Sequence, residues 1–209
     1  MRAILTAGTA TEFDADWLRR RLARPPDAQS VYGDEEARSD PSTLTAAAVL
    51  VPIVAREAEL TVLFTQRTAH LRAHSGQVSF PGGRVEPLDD SPEATALRET
   101  HEEIGLAGAA VDVLGRLADY HTRTGFRVTP VIGVVTPPFE LRLDEREVEY
   151  VFEVPLSFLL DPANHQRHER EFQGRTVQYY AIPYLQHYIW GATAGMLVNF
   201  YRRLAAAVA

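Results

Sequence analysis

The chain has 209 residues, 45% hydrophobic and 23% charged, which is typical of a globular protein with one sizeable domain. Its net charge of −7 argues against nucleic-acid binding, and the absence of cysteine excludes disulfides, thiolate metal sites and cysteine nucleophiles. No apolar run approaches the ~20 residues of a membrane span and no signal-peptide core is visible, so we expect a cytoplasmic protein without a membrane partner.

The first 43 residues are predicted to hold a short helix and a linker. Within residues 12–24, apolar side chains from Phe13 to Leu22 recur at near-helical spacing, with three arginines on the other side. Residues 25–43 are polar and rich in helix breakers, which indicates a linker. We therefore assign residues 1–43 to an N-terminal helix and a polar linker.

Residues 44–209 are predicted to form the main domain. An apolar run at 44–55 indicates a buried strand, and it forms a hairpin with a strand predicted at 60–66. The later predicted elements are strands at 111–120 and 126–135, a polar loop at 137–147, a short strand and helix within 149–160, a second hairpin made of 165–172 and 176–182, and a closing helix at 187–205. These elements indicate an α/β fold around a mixed sheet.

A further helix is predicted within residues 80–106. Ser91 is a good N-cap and Pro92 suits the first helical position. Strong helix formers follow, and Gly105 is a plausible stop.

This predicted helix concentrates negative charge on one face. At roughly 100° per residue, Glu99, Glu102 and Glu103 fall within an arc of about 100°. Carboxylates this close repel one another, and Arg98 neutralises only one. A solvated acidic face is the plain reading of such a pattern, but a Pro-Gly-Gly turn upstream lets the backbone approach an ion closely. The pattern favours a site for Mg²⁺ or Mn²⁺, which prefer oxygen ligands.

This stretch resembles the Nudix box, G-x5-E-x7-R-E-U-x-E-E-x-G-U, in which U is aliphatic. The positions that match its second half are Arg98, Glu99, Glu102, Glu103, Gly105 and Leu106. Thr100 replaces an aliphatic residue. In the first half, six residues rather than five separate Gly83 from Asp90, and the strict spacing from Gly83 falls on Asp89. The first acidic position is therefore left without an assigned role.

The resemblance implies the Nudix fold, an α/β/α sandwich around a mixed β-sheet. It also implies metal-assisted hydrolysis of a nucleoside diphosphate linked to another group, with water as the nucleophile. The implied metal ligands are Glu99, Glu103 and the carbonyl of Gly82, with Glu102 a frequent participant. Arg98 is expected to orient a glutamate by a charge-assisted hydrogen bond.

The general base is predicted only as a short set of alternatives. In Nudix enzymes it often lies on a later loop, which makes Glu147 and Glu149 the best candidates, with Asp144 and Glu145 behind them. A glutamate of the box, such as Glu103, is the other possibility.

The residues before the box indicate the substrate. They resemble the coenzyme A pyrophosphatase pattern L-L-T-x-R-S/A-x3-R-x3-G-x3-F-P-G-G, with all spacings kept. The matching residues are Leu63-Phe64-Thr65-Gln66-Arg67-Thr68, Arg72, Gly76 and Phe80-Pro81-Gly82-Gly83. Arginine forks suit phosphate, so Arg67 and Arg72 are predicted to bind the 3′-phosphate of coenzyme A; pairing with surface acids is the alternative.

The resemblance therefore predicts hydrolysis of coenzyme A to 3′,5′-ADP and 4′-phosphopantetheine. Two alternatives stay open: another dinucleotide or nucleotide sugar such as NADH or ADP-ribose, and a Nudix-fold sensor that binds a nucleotide without cleaving it. The three intact box glutamates count against the sensor. Tyr188 and Trp190 are predicted either to line a pocket for the substrate or to pack within the closing helix.

Overall fold

The computed structural model describes residues 13–23, 32–33, 43–70, 76–172 and 174–206. The helices in this part of the chain are α1 (Ala15–Leu22), α2 (Pro92–Ile104), α3 (Leu156–Leu160) and α4 (Ala192–Ala206). The strands are β1 (Tyr32–Gly33), β2 (Thr45–Ala55), β3 (Leu60–Arg67), β4 (Val78–Ser79), β5 (Gly82–Arg84), β6 (Val111–Arg116), β7 (Tyr120–His121), β8 (Phe126–Val135), β9 (Val148–Pro155), β10 (Gln166–Phe172), β11 (Arg175–Tyr184) and β12 (His187–Trp190). Among these residues no helix combines the length and apolar character that crossing a bilayer demands.

A mixed sheet forms the centre of the molecule. Strands β1, β7, β8, β2, β3 and β4 follow one another in that order, while β5, β6 and β9 pair with β2, β8 and β3. Strand β2 is parallel to β8 and antiparallel to β3, which makes the sheet mixed. Strands β10 to β12 form a separate antiparallel sheet.

The two faces of the central sheet are covered by different helices. On one face α2 packs through Ala96 and Ile104 against side chains such as Leu50. On the other face helices α1, α3 and α4 and the small sheet share one core, which includes Leu18 and Phe200. The predicted α/β/α sandwich around a mixed sheet is therefore confirmed.

Both predicted hairpins are confirmed. Strands β2 and β3 pair antiparallel, with Ile53 opposite Val62, and β10 pairs along its whole length with β11. Their local signals are strong because short apolar or alternating runs flank obvious turn residues.

Three predicted boundaries are wrong. The predicted strand at 111–120 is divided into β6 and β7. Within the predicted linker, Tyr32–Gly33 is a strand parallel to β7. The closing helix starts at Ala192, because residues 187–190 form β12, where Ile189 faces Ile182 of β11. Four residues can satisfy both the helical and the strand period, so only the pairing with β11 decides between them.

Candidate active site

Helix α2 begins and ends with strong local signals. The Ser91 side chain accepts a hydrogen bond from the Ala94 N–H at 3.1 Å, and Pro92 occupies the first turn. Gly105 ends the helix in the left-handed conformation at φ 69°, where a Cβ atom would lie 2.8 Å from the backbone of Arg142. Only glycine fits this turn and this approach, so the loop that carries Arg142 packs directly on the helix end.

Asp89 and Arg98 form the centre of a hydrogen-bond network at the start of α2. The guanidinium donates to both carboxylate oxygens, at 3.0 and 2.9 Å, and to the Arg84 carbonyl at 3.1 Å. Asp89 also accepts from the Glu86 N–H and the Thr95 hydroxyl, each at 2.9 Å. These donors hold the pKa of Asp89 well below its usual range, chiefly through Arg98, whose own pKa is raised.

Arg98 also contacts two of the three box glutamates. Its Nη1 atom lies 3.1 Å from a Glu99 oxygen and 3.2 Å from a Glu102 oxygen. The Glu102 side chain is 57% exposed and turns toward this guanidinium. Arg98 thus links Asp89 to Glu99 and Glu102.

Glu99 lies against the glycine turn that precedes the helix. A Cβ atom at Gly83 would lie 2.4 Å from the Glu99 carboxyl group, closer than any real contact of that kind. Burial raises the pKa of Glu99, and Arg98 offsets part of that rise. The Glu99 carboxylate therefore packs directly against the β5 backbone, in the space that a side chain at Gly83 would fill.

Glu103 is the most buried of the acidic side chains in this cluster. It is 4% exposed, and its Oε2 atom has no hydrogen-bond partner among the described residues. An Arg67 Nη1 atom lies 3.7 Å from the other oxygen, too far for a hydrogen bond, and the Gly82 N–H donates to the carboxylate. Desolvation, together with the charges of Glu147 and Glu99, raises the pKa of Glu103 to about 8 despite Arg67.

The pairing of β2 with β5 fixes the direction of the Gly82 backbone. The Leu50 N–H donates to the Pro81 carbonyl at 2.9 Å, and the Val85 N–H donates to the Ala46 carbonyl at 3.1 Å. In an antiparallel ladder this alternation leaves Gly82, which lies opposite Val49, unbonded to β2. Its N–H and carbonyl both point away from β2, on the side where Glu103 lies.

Strand pairing gives the two predicted general bases, Glu147 and Glu149, different surroundings. Arg67 pairs with Val148 while Gln66 pairs with Tyr150, so Glu149 is the extra residue of a bulge. The Glu147 carbonyl accepts from the Thr68 N–H at 2.9 Å. The charge of Glu147 is among the main causes that raise the pKa of Glu99 and the pKa of Glu103, and Glu149 is not among those main causes for either group.

The cluster fits a divalent cation in its charge and its donors. Among the described residues the buried Glu103 Oε2 atom has no partner, and the charge of Glu147 acts on both Glu99 and Glu103, with Arg98 offsetting it at Glu99 and Arg67 at Glu103. Within the described ranges no three acidic or histidine side chains already converge on one point. A cation would therefore draw these carboxylates together.

The structure brings most of the predicted site residues to one place. Gly82, Glu99, Glu103, Arg67 and Glu147 surround the end of β3, and Arg98 and Glu102 lie beside Glu99. Arg72 lies outside the described residues. Sequence reasoning gave Asp89 no role, although the strict box spacing from Gly83 had marked it.

The NUDIX domain family matches residues 44–188, about two thirds of the chain. The chain belongs to the Nudix family. A Nudix hydrolase cleaves a phosphoric anhydride in a substrate linked to a nucleoside diphosphate, so this Nudix protein has water and a diphosphate as its reactants. The family's divalent metal ions agree with the excess negative charge of the cluster.

Two bacterial relatives of this Nudix protein carry the name "Uncharacterized Nudix hydrolase NudL". The one from Enterobacter sp. (strain 638) is 40% identical over 183 residues, covering 87% of this chain and 90% of the relative. The one from Escherichia coli (strain K12 / DH10B) is 42% identical over 151 residues, covering 72% and 78%. A solved Ap4A hydrolase binary complex from C. elegans is 19% identical with a TM-score of 0.45, covering 54% of this chain and 81% of that one.

Proposed function

We propose that this Nudix hydrolase is a coenzyme A diphosphatase. Water attacks one phosphorus of the diphosphate, the bridging P–O bond breaks, and 3′,5′-ADP and 4′-phosphopantetheine leave. The observation that carries the proposal is the position of Arg67. The spacing pattern singles out this arginine for coenzyme A, and its guanidinium lies 3.7 Å from Glu103, among the box carboxylates.

Each residue of the cluster has a role in this proposal. Glu99, Glu103 and the Gly82 carbonyl would hold Mg²⁺ or Mn²⁺, with Glu102 joining from the helix surface. The ion, when bound, supplies charge neutralisation at the diphosphate and lowers the pKa of a bound water. Arg98 is a positioning residue, because it holds Glu99 while Asp89 holds Arg98.

Glu147 is the base that we favour over Glu149. It is exposed to incoming water, and its charge reaches both Glu99 and Glu103. The Thr68 N–H holds the Glu147 carbonyl and so fixes the backbone from which the carboxylate extends. The carboxylate can take a proton from the attacking water and release it to solvent afterwards.

The proposal is tested by product analysis. The protein is incubated with coenzyme A and Mg²⁺ or Mn²⁺, and the products are identified by mass spectrometry. We expect 3′,5′-ADP and 4′-phosphopantetheine, with a higher kcat/KM than for NADH or ADP-ribose measured in parallel. Faster cleavage of either competitor would reassign the substrate, and no cleavage of any of the three would overturn the coenzyme A proposal and its dinucleotide and nucleotide-sugar alternatives.

A second measurement tests the arginines. If Arg67 and Arg72 bind the 3′-phosphate, coenzyme A should be preferred over dephospho-coenzyme A, which lacks that group. Each Arg→Ala change should then lower this preference by roughly 10- to 150-fold, the equivalent of one lost charge-assisted hydrogen bond. An equal loss on both substrates would instead assign Arg67 to the diphosphate or to Glu103.

A further inference from the structure

An exposed aromatic ring lies at the same end of the central sheet as the carboxylate cluster. Tyr150 is 39% exposed and sits on β9, just after Glu147 and the bulged Glu149. Its strand partner on β3 is Gln66, the residue before Arg67. Opposed Cα atoms are about 5 Å apart and successive ones about 3.8 Å, so the Cα atoms of Tyr150 and Arg67 are within roughly 10 Å.

The ring is on the sheet face opposite to α2. Side chains alternate along a strand, and Phe152, two residues after Tyr150, packs in the core that contains α4, whereas Val151 packs against the α2 side. The Glu103 carboxylate therefore reaches the end of β3 from one face, and Tyr150 reaches the same end from the other.

Two neighbouring rings support Tyr150 from within the protein. The His187 ring centroid lies 5.9 Å from that of Tyr150, and the Phe152 centroid lies 6.2 Å away. His187 and Phe152 themselves stack at 3.5 Å with an interplanar angle of 4°. The Tyr150 ring is thus supported by His187 and Phe152 on its inner side, while more than a third of the residue is exposed to solvent.

We propose that Tyr150 is the stacking surface for the purine base of the substrate, which deepens the function proposed above and rests on its diphosphate site. Because the Cα atoms of Tyr150 and Arg67 lie close together at this end of the sheet, a nucleotide that extends round the end of β3 from the α2 side reaches the Tyr150 ring on the other face. A substrate that crosses this end of the sheet has its diphosphate at the carboxylates and its base on Tyr150. Aromatic stacking accepts any planar base and adds affinity without adding charge.

The test measures binding of ADP, the part that coenzyme A, NADH and ADP-ribose share. Calorimetric titration with Mg²⁺ present compares ADP with ribose 5-phosphate, which has no base. Tyr150→Leu keeps apolar volume but removes the aromatic face, and we expect ADP affinity to fall roughly 5- to 150-fold while ribose 5-phosphate is unaffected. Tyr150→Phe should bind ADP like the wild type.

Tyr188→Leu is the matched control. Tyr188 is 44% exposed, similar to Tyr150, but it lies on β12 of the small sheet. We expect this variant to bind ADP normally. Unchanged ADP binding in Tyr150→Leu, or an equal loss in Tyr188→Leu, would overturn the proposal and in the second case move the base to the small sheet.

A second variant covers the possibility that Tyr150→Leu does not fold. In Tyr150→Trp, ADP should quench the fluorescence of the introduced tryptophan while ribose 5-phosphate should not, and equal effects of the two ligands would count against stacking. The outcome is independent of the coenzyme A assignment. A protein that does not cleave coenzyme A can still show the ADP effect, and a coenzyme A diphosphatase can lack it.

Discussion

The two ends of helix α2 use charge in opposite ways. At its start, the Asp89 carboxylate receives hydrogen bonds from Arg98, Thr95 and Glu86, and its pKa is held low. At its end, Glu103 has an oxygen without a partner in the described part of the chain, Arg67 is too distant for a hydrogen bond, and the pKa of Glu103 is raised to about 8. Protein groups satisfy the first carboxylate, whereas the second keeps an oxygen that the proposed metal ion would bind.

This difference suggests a structural role for the start of α2 and a chemical role for its end. A saturated network rigidifies its surroundings, while a buried polar group without a partner is costly and persists where function requires it. Arg98 connects the two, because it binds Asp89 on one side and Glu99 on the other. Variants at each end should therefore fail in different ways.

Glu103→Gln should have the largest effect, because it keeps the shape and removes the buried charge. We expect kcat to fall about 10²- to 10³-fold, as for the loss of a central charge-stabilising group. Glu102→Gln is the matched control, since Glu102 is 57% exposed and bound to Arg98, and it should lose less. Near-normal rates in Glu103→Gln would remove the metal site from this end of the helix.

Glu147→Gln should come next, with a loss of about 10²-fold, the lower end for a general base. Metal binding, followed by calorimetry, should persist because the box glutamates remain. Glu149→Gln should stay close to the wild type, since Glu149 is not among the main charges that act on Glu99 or Glu103. If both variants keep full activity, the base is a box glutamate.

The raised pKa of Glu103 should be visible in the pH dependence of the free energy of unfolding. Between the ordinary pKa of 4.5 and the raised value of about 8, folded Glu103 holds a proton that the unfolded chain has lost. Stability of the metal-free protein should therefore fall as pH rises through this window, by on the order of 5 kcal/mol, and then level off. Denaturant titrations from pH 5 to 9 measure this, and a curve as steep in Glu103→Gln would contradict it.

Asp89→Asn should have the smallest effect on activity. Asp89 acts through Arg98, so we expect a loss of about tenfold in kcat/KM, together with a lower midpoint of thermal unfolding. Asp90→Asn is the control, because Asp90 is exposed next to it in sequence. Equal behaviour of the two variants would show that the Asp89 network does not hold Arg98 in place.

The parts of this site that the sequence predicts are those with local causes. Ser91, Pro92 and Gly105 delimit α2 through neighbouring residues alone, and the helical period then places Glu99 and Glu103 on one face. The role of Asp89 was missed because the choice between it and Asp90 depends on the path of the preceding loop. That path is set by the bond from the Glu86 N–H to the Asp89 carboxylate.

Long-range pairing explains the remaining misses. Strand β1 consists of two residues within a breaker-rich segment and exists through its pairing with β7. Strand β12 shares its apolar spacing with a helix, and only contact with β11 makes it a strand. The position of Tyr150 likewise depends on the bulge at Glu149, and no residue type within β9 predicts that bulge.

The loop between β8 and β9 joins the end of α2 to Glu147 through backbone hydrogen bonds. The Arg142 N–H donates to the Ile104 carbonyl at 2.8 Å and the Asp144 N–H donates to the Glu103 carbonyl at 2.9 Å, while the Thr68 N–H holds Glu147. These three amides exchange with deuterated solvent only when the loop detaches from the helix or from β3. Their exchange rates therefore report, without any substrate, how often the loop detaches. From these rates follows the fraction of molecules in which Glu147 and the box carboxylates are assembled.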